Sequence, residues 1–164
     1  MPTLDETEVR ALHEALDDEY RAWATYDQVI ADFGAVQPFV NIRAAEARHI
    51  GALHGLYRRY GLAIPDNPHP GRVAHYPSLT AACEAGIEAE IVNGEMYSRL
   101  LATNPRADIL TVLGNLQAAS QQRHLPAFRR CAQRATDTTG CAPELQRGQS
   151  FHDGSDAIGR VCSG

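Results

Sequence analysis

Four long stretches of the chain carry apolar residues at every third or fourth position, which is the spacing of one face of an α-helix. They cover about residues 3–34, 38–60, 78–103 and 104–136. Residues 62–77 connect the second stretch to the third, and this segment has four prolines and no helical period. The sequence therefore predicts four amphipathic helices that must bury their apolar faces against one another.

The proline-rich connection constrains how these helices are joined. Sixteen extended residues span about 50 Å, whereas the second helix, at roughly 23 residues, is only about 35 Å long. The connection can therefore cross the whole length of a helical bundle. Two helical hairpins joined by one long crossover is the connectivity of ferritin-like four-helix bundles, so we predict an all-α fold of that type for residues 1–136.

Local sequence signals predict where two of the helices start and where one of them ends. Thr3 and Glu6 have capping-box spacing, which predicts Thr3 as the N-cap of the first helix. Gly61 suits the position just after the second helix. Asn104 and Pro105 predict the N-cap and the first-turn residue of a single fourth helix.

Size and charge exclude several classes of protein. A chain of 164 residues fits one domain with a real core. The net charge of −5 argues against a broad nucleic-acid surface. No run of 18 apolar residues predicts a membrane span, and the acidic start is unlike a signal peptide, which favours a cytoplasmic protein. Residues 137–164 lack periodicity and are expected to form an irregular tail. The sequence is compatible with a homodimer.

The four cysteines leave two alternatives. None of them forms a C-x-x-C pair, so zinc-ribbon, rubredoxin-type and thioredoxin-type sites are unsupported. Cys83 and Cys131 are expected at the same height on antiparallel helices, where they can form a disulfide, with Cys141 and Cys162 closing the tail. Such bridges would indicate an extracytoplasmic protein. Four reduced thiols in the cytoplasm are the equally weighted alternative.

Five ionisable residues interrupt the apolar faces near the middle of the predicted helices. They are Glu19, Glu46, His49, Glu90 and His124. A buried, unpaired carboxylate costs several kcal/mol. For any one of these residues, a buried ion pair or a solvent-reaching end is the simpler reading. Three carboxylates and two histidines on four inward faces, with no Lys or Arg at the same level, instead predict a metal site.

The spacing of these residues matches a site for two metal ions. Bundle di-metal sites take a Glu from each of two helices and Glu-x-x-His from each of the other two. Glu19 and Glu90 are the expected single carboxylates, and Glu46/His49 is the first Glu-x-x-His pair. The second pair should end at His124, but Gln121 stands in place of its carboxylate. Gln121 is therefore a doubtful ligand, and Ser120 is the alternative core-facing residue.

Several segments resemble the helices of rubrerythrin-like proteins, over about residues 10–135. They are Asp18–Ala22 (DEYRA) with Tyr26, Pro38–His49 (PFVNIRAAEARH), Ile87–Tyr97 (IEAEIVNGEMY) and Gln121–Leu125 (QQRHL). The chain is also similar to an uncharacterised, often exported branch of the ferritin-like proteins in which the fourth-helix Glu is missing. The resemblance implies a non-haem di-iron centre that handles dioxygen or peroxide, with manganese, zinc or copper as alternative metals.

Two departures from that family limit what carries over. The sequence contains no C-x-x-C pairs with which to build a rubredoxin domain, so we expect an enzyme of this kind to need an external electron donor. Gln121 is neutral, which leaves three negative charges against four positive charges of two divalent ions. The position held by Glu90 and His124 should therefore be the weaker one. The sequence thus predicts an oxidoreductase, with metal binding or storage without turnover, or a purely structural polar core, as alternatives.

Other candidates have structural alternatives of equal or greater weight. Tyr26 is a candidate proton or electron donor near the metal, but it is also a plausible core tyrosine. Pro126 should kink the fourth helix. Four further histidines are expected on outer faces or loops with no ligand role: His54, His69, His75 and His152.

Overall fold

The protein is all-helical throughout the part of the chain that the computed structural model describes, residues 3–139. No strand occurs among these residues, and none of their helices is long and apolar enough to cross a membrane. The all-α prediction is therefore confirmed. The helices are α1 (Glu6–Phe33), α2 (Phe39–Arg59), α3 (Leu79–Thr103), α4 (Ala107–Ala119) and α5 (Leu125–Thr139), with a π-helical turn at Ser120–His124 between the last two. The last helix continues three residues into the predicted tail, and the rest of that tail, with its two cysteines, lies outside the described residues.

The helices pack in two pairs. α1 packs along α2, and α3 packs along the continuous segment of α4, the π turn and α5. The two pairs meet where α1 contacts α3 and α2 contacts α4. Two apolar clusters fill the interior, one containing Leu12, Leu53 and Leu113, the other containing Phe39 and Phe128. The helical segments between these clusters carry the polar residues of the predicted site.

The crossover follows the outer surface of α1. The Tyr20 hydroxyl donates a hydrogen bond to the backbone carbonyl of Pro65 at 2.9 Å. Further along, the Nδ1 atom of His75 lies 2.8 Å from an Asp32 carboxylate oxygen. Residues 62–77 therefore run from the middle of α1 to its C-terminal end, which delivers the chain to the start of α3.

The first helix begins two residues later than the sequence predicts. Asp5, not Thr3, is the N-cap, and its side chain accepts a hydrogen bond from the Glu8 N–H at 2.8 Å. The Glu8 carboxylate reaches back to the Asp5 N–H at 2.7 Å. The same carboxylate forms an ion pair with Arg106 at 2.6 Å. That long-range contact is invisible in the local sequence and stabilises the later capping box.

The predicted fourth helix begins later than Asn104 and Pro105 indicate, and it contains an irregular turn just before Pro126, where a kink is expected. The helix begins at Ala107, because the Asn104 side chain accepts a hydrogen bond from the Arg106 N–H instead of capping it. The π turn then interrupts it, with the Leu125 N–H bonded to the Ser120 carbonyl five residues earlier. Pro126 has no N–H to give, and the irregularity lies immediately before it.

Cys83 and Cys131 form a disulfide, as one of the two alternatives predicted. The bridge joins α3, which carries Glu90, to α5, which directly follows the π turn that carries His124. Both cysteines are buried in the same apolar cluster as Phe128. Glu90 and His124 each lie one heptad from a bridged cysteine, so the bridge fixes the spacing of the helices that carry them.

Candidate metal centre

Two groups of carboxylate and imidazole side chains meet in the interior. Glu19, Glu46 and His49 form the first cluster, and Glu46, Glu90 and His124 form the second. Within each cluster the candidate ligand atoms all lie within 4.8 Å of one another. All four helical segments of the two pairs contribute, and every residue of the predicted ligand set except Gln121 belongs to a cluster.

Glu46 is common to both clusters because its two carboxylate oxygens point to different histidines. One oxygen lies 2.7 Å from His49 Nδ1, and the other lies 3.1 Å from His124 Nδ1. The two imidazole rings stack with their centroids 5.5 Å apart. Glu46 therefore sits between the two clusters, as a carboxylate that bridges two ions would.

The outer carboxylates complete each cluster. Glu19 lies 3.2 Å from His49 Nδ1, and Glu90 lies 3.5 Å from His124 Nδ1. Each position thus has two carboxylates and one imidazole, an oxygen and nitrogen donor set suited to divalent transition metals.

Hydroxyl groups fix the orientation of the outer carboxylates. The Tyr97 hydroxyl donates to Glu19 at 2.5 Å, and the Tyr26 hydroxyl donates to Glu90 at 3.0 Å. The Ser120 hydroxyl donates to the second oxygen of Glu90. Such outer hydrogen bonds hold ligands in place before a metal binds. Glu90 thus receives two hydroxyl hydrogen bonds, whereas Glu19 receives one.

A buried nitrogen of His124 supports the presence of a metal at this site. His124 is 4% exposed, and its Nδ1 atom lies 3.1 and 3.5 Å from oxygens of Glu46 and Glu90 without forming a well-aligned hydrogen bond to any described residue. Buried polar atoms in proteins are almost always satisfied by a hydrogen bond, a water molecule or an ion. The atom faces oxygens of Glu46 and Glu90, so the residues present fit a metal ion at this position.

The pKa values of Glu19 and Glu46 are shifted in opposite directions within the site. Burial, together with the negative charge of Glu46, raises the pKa of Glu19 to about 8. Burial would also raise the pKa of Glu46, but its contacts with His124 and His49 outweigh that effect and hold its pKa well below the usual range. Glu46 is therefore the anion that organises the metal-free centre.

The two histidines are charged when no metal is bound. Burial lowers the pKa of His49, but the neighbouring Glu19 and Glu46 carboxylates raise it to about 10 overall. Burial likewise opposes the effect of Glu46 and Glu90 on His124, whose pKa rises to about 9. In the metal-free protein, the positive charges of the two protonated histidines therefore compensate the negative charge of the carboxylates.

The predicted ligand Gln121 is directed elsewhere. Its amide nitrogen donates to the backbone carbonyl of Glu90 at 2.6 Å and to the Ser120 hydroxyl at 3.1 Å. Because the π turn contains one more residue per hydrogen-bonded ring, Ser120 and His124 share the buried face and Gln121 is displaced to its edge. The alternative weighed in the sequence, that Ser120 faces the core, describes this arrangement.

Other residues lie where their sequence positions indicate, or add to the site. Tyr26 touches the centre through Glu90. His54, His69 and His75 contact Tyr20, Asp17 and Asp32 and belong to neither cluster, while His152 lies outside the described residues. Sequence reasoning gave Tyr97 no role in the site, although its position seven residues after Glu90 on the same face was a usable signal.

A cavity of about 390 Å³ opens onto the centre between α1 and α3. Its inner end is formed by the ligand side chains of both clusters and by Ser120. Tyr26 and Asn93 line its sides. The clusters are therefore buried in the protein but accessible to a small molecule from this side.

Comparisons with known proteins establish the fold and nothing further. No protein-family model and no curated protein sequence matches the chain. Its structure is similar to the crystal structure of a hypothetical protein from Methanococcus jannaschii, with a TM-score of 0.69. The two proteins are 23% identical, and the similarity covers 83% of this chain and 85% of the other. At this level of identity the likeness concerns the helical architecture alone.

The pKa values predict that metal binding releases protons. Glu19, His49 and His124 have raised pKa values and carry protons at pH 7 without metal, whereas coordination requires all three to lose them. We expect up to three protons released per chain at pH 7, and an affinity that rises as the pH increases from 7 to 10. Calorimetric titration with Zn²⁺ in two buffers of different ionisation enthalpy measures this number. Binding without proton release and with constant affinity would contradict the assigned charges.

Proposed function

We propose that the chain is a ferritin-like, rubrerythrin-related protein that binds two divalent metal ions, with iron as the working metal. Glu19, Glu46 and His49 would hold one ion, and Glu46, Glu90 and His124 the other. The observation that carries this proposal is the division of the Glu46 carboxylate between the two histidines, at 2.7 and 3.1 Å. A single-metal site has no use for such an arrangement.

A purely structural polar core is the less economical explanation. A network retained for stability would align its buried hydrogen bonds, yet His124 Nδ1, although 3.1 Å from a Glu46 oxygen, forms no well-aligned hydrogen bond within residues 3–139. A structural network also has no reason to face a 390 Å³ cavity. Replacing a buried ionic network by apolar residues is often neutral or stabilising, so stability alone explains its presence poorly.

For the activity, we propose reduction of peroxide or activation of dioxygen, with electrons from an external donor. A bound pair of iron ions would supply the redox chemistry. The chain's own residues would bind and orient the ions, and the surrounding apolar clusters would limit access of bulk water. The Tyr26 hydroxyl, bonded to Glu90 at 3.0 Å, is placed to move a proton at the Glu90 carboxylate. Burial and the Glu90 charge keep the Tyr26 pKa well above its ordinary value, so the phenol holds its proton.

Single substitutions should separate the two metal positions. His49→Ala should abolish binding at the stronger position and spare the weaker, whereas His124→Ala should do the reverse. Glu46→Gln removes the charge common to both clusters and should weaken both by about a hundredfold, or roughly 3 kcal/mol each. Titration with Zn²⁺ or anaerobic Fe²⁺ reports stoichiometry and affinity for each variant.

The matched control is Glu84→Gln on the exposed face of α3, which should bind as the unaltered protein does. Equal losses from the two histidine variants would show that the ranking of the positions is incorrect. Loss of only one ion in Glu46→Gln would show that Glu46 does not bridge.

The redox proposal predicts faster oxidation of protein-bound iron. Protein loaded anaerobically with two equivalents of Fe²⁺ should be oxidised by hydrogen peroxide or oxygen at least tenfold faster than free Fe²⁺ in the same buffer. Stopped-flow absorbance measures the rate, and Glu46→Gln is the comparison variant. Tight binding of two ions without any acceleration would favour metal binding or storage without turnover.

A further inference from the structure

A second opening reaches the centre from the α2 side of the bundle. It is a groove of about 510 Å³ between α2 and the segment that contains α4, the π turn and α5, and we call it the α2 groove. His49 and His124 line both this groove and the cavity between α1 and α3. Ile42 and Leu116 are buried at its floor. The exposed residues of its rim include Asn41, Arg48, Asn115 and Arg123.

Both arginines of the rim lack an ion-pair partner. Neither Arg48 nor Arg123 forms an ion pair with another residue in the range 3–139, whereas Arg43 of α2 is paired with Asp27. A partner on the same helix would lie three or four residues away. Those positions around the two arginines hold only Ala, Gly, Ser and Pro. The two guanidinium groups are therefore available to a ligand.

The elements around the groove carry very few carboxylates. α2, α4 and the π turn together contain only Glu46 and Asp108. Glu46 is buried in the centre and does not line the groove. Asp108 lies at the start of α4, where it accepts a hydrogen bond from Tyr60 and pairs with Arg59. In α5 no Asp or Glu occurs before position 137. An anion in the groove would thus meet two arginines and no lining carboxylate.

The lining of the groove selects an organic anion. Guanidinium groups bind carboxylates and phosphates through paired N–H groups. A cation would be repelled by both arginines, and a neutral molecule would gain nothing from their charge. The volume of about 510 Å³ lies in the range of about 300–1,000 Å³ that is typical of pockets for small organic ligands. Ile42 and Leu116 offer an apolar surface to the body of such a molecule.

We propose that the α2 groove binds a small organic anion, a carboxylate or a phosphate monoester with an apolar body. The anionic group binds to Arg48 and Arg123, and the body lies over Ile42 and Leu116. None of the glutamates of the two clusters lines this groove. The inference therefore goes beyond the proposed metal function and is testable in the metal-free protein.

The test compares fluorobenzoate and fluorophenyl phosphate with fluorobenzyl alcohol, a probe of similar size without charge. Fluorine NMR titration of the metal-free, full-length protein measures the affinity of each probe. At least one of the two anions should bind at least tenfold more tightly than the alcohol, and their order tells a carboxylate site from a phosphate ester site. Inorganic phosphate, as a competitor, should bind more weakly than the tighter aromatic anion because it lacks the apolar body.

Removal of either arginine should weaken binding of the tighter anion. Arg48→Gln and Arg123→Gln remove the charge, and each should weaken that anion about tenfold, the worth of a hydrogen bond to a charged group, while leaving the alcohol unchanged. Arg58→Gln is the matched control, because Arg58 is an exposed arginine of α2 that does not line the groove. It changes the net charge equally and should bind as the unaltered protein does.

A carboxylate introduced into the groove should oppose the anion. Ala52 is exposed, lines the groove and lies one turn after Arg48. Ala52→Glu places a negative charge where it can pair with Arg48 and repel the ligand. It should bind the anion at least fivefold more weakly than Ala52→Gln, which has the same size and no charge. Circular dichroism confirms that each variant is folded.

Several results would overturn the inference. They are equal affinity for the anions and the alcohol, inorganic phosphate binding as tightly as the aromatic anion, unchanged affinity in both arginine variants, an equal loss in Arg58→Gln, equal affinity in Ala52→Glu and Ala52→Gln, and absence of any binding. A separate titration with Zn²⁺ distinguishes this failure from failure of the proposed function. Anion binding without metal binding would leave the groove assignment intact and remove the metal assignment, and the opposite result would do the reverse.

Discussion

The contact of Glu46 with two histidines is the interaction on which the centre depends. A carboxylate that is 3% exposed stays ionised only if positive charge is close by, and His49 and His124 supply it from two different helices. This requirement fixes the relative height of α2 and the π turn. Glu19 and Glu90 then lie on either side, and Tyr97 and Tyr26 orient them from α3 and α1. The polar layer is thus built from pairwise contacts that each cross between helices.

Such a layer interrupts the hydrophobic core, and the rest of the fold compensates for it. Apolar clusters lie on both sides, with Leu16 and Leu53 in one and Phe39 and Phe128 in the other. The bridge between Cys83 and Cys131 covalently joins the helices that carry Glu90 and His124. Strong packing at both ends allows the middle of the molecule to hold charged groups and a cavity.

Much of this arrangement was predictable from helical periodicity. Glu19, Glu46, His49, Glu90 and His124 fall on apolar faces at 3–4 spacing, and the structure brings all five together. Periodicity works here because it depends only on the regular geometry of an α-helix. The disulfide followed from the same reasoning, since Cys83 and Cys131 lie one heptad from residues of the site, although the sequence left reduced thiols equally open.

The remainder was not predictable because it depends on departures from regular geometry or on distant contacts. The π turn shifts the register of the fourth segment by one residue, so Ser120 takes the inner position that a regular helix would give to Gln121. Pro126 indicates an irregularity in this part of the helix, but it does not predict a π turn. The cap at Asp5 depends on Arg106, about a hundred positions away, and the cavity depends on how closely α1 approaches α3.

The most direct test of the central claim is anomalous X-ray diffraction at the iron absorption edge, from crystals of the protein loaded with Fe²⁺. Two anomalous peaks should lie on either side of the Glu46 carboxylate, one next to His49 and the other next to His124. A single peak at one histidine would contradict the bridging role of Glu46. The absence of any peak at full iron loading would contradict the metal centre itself.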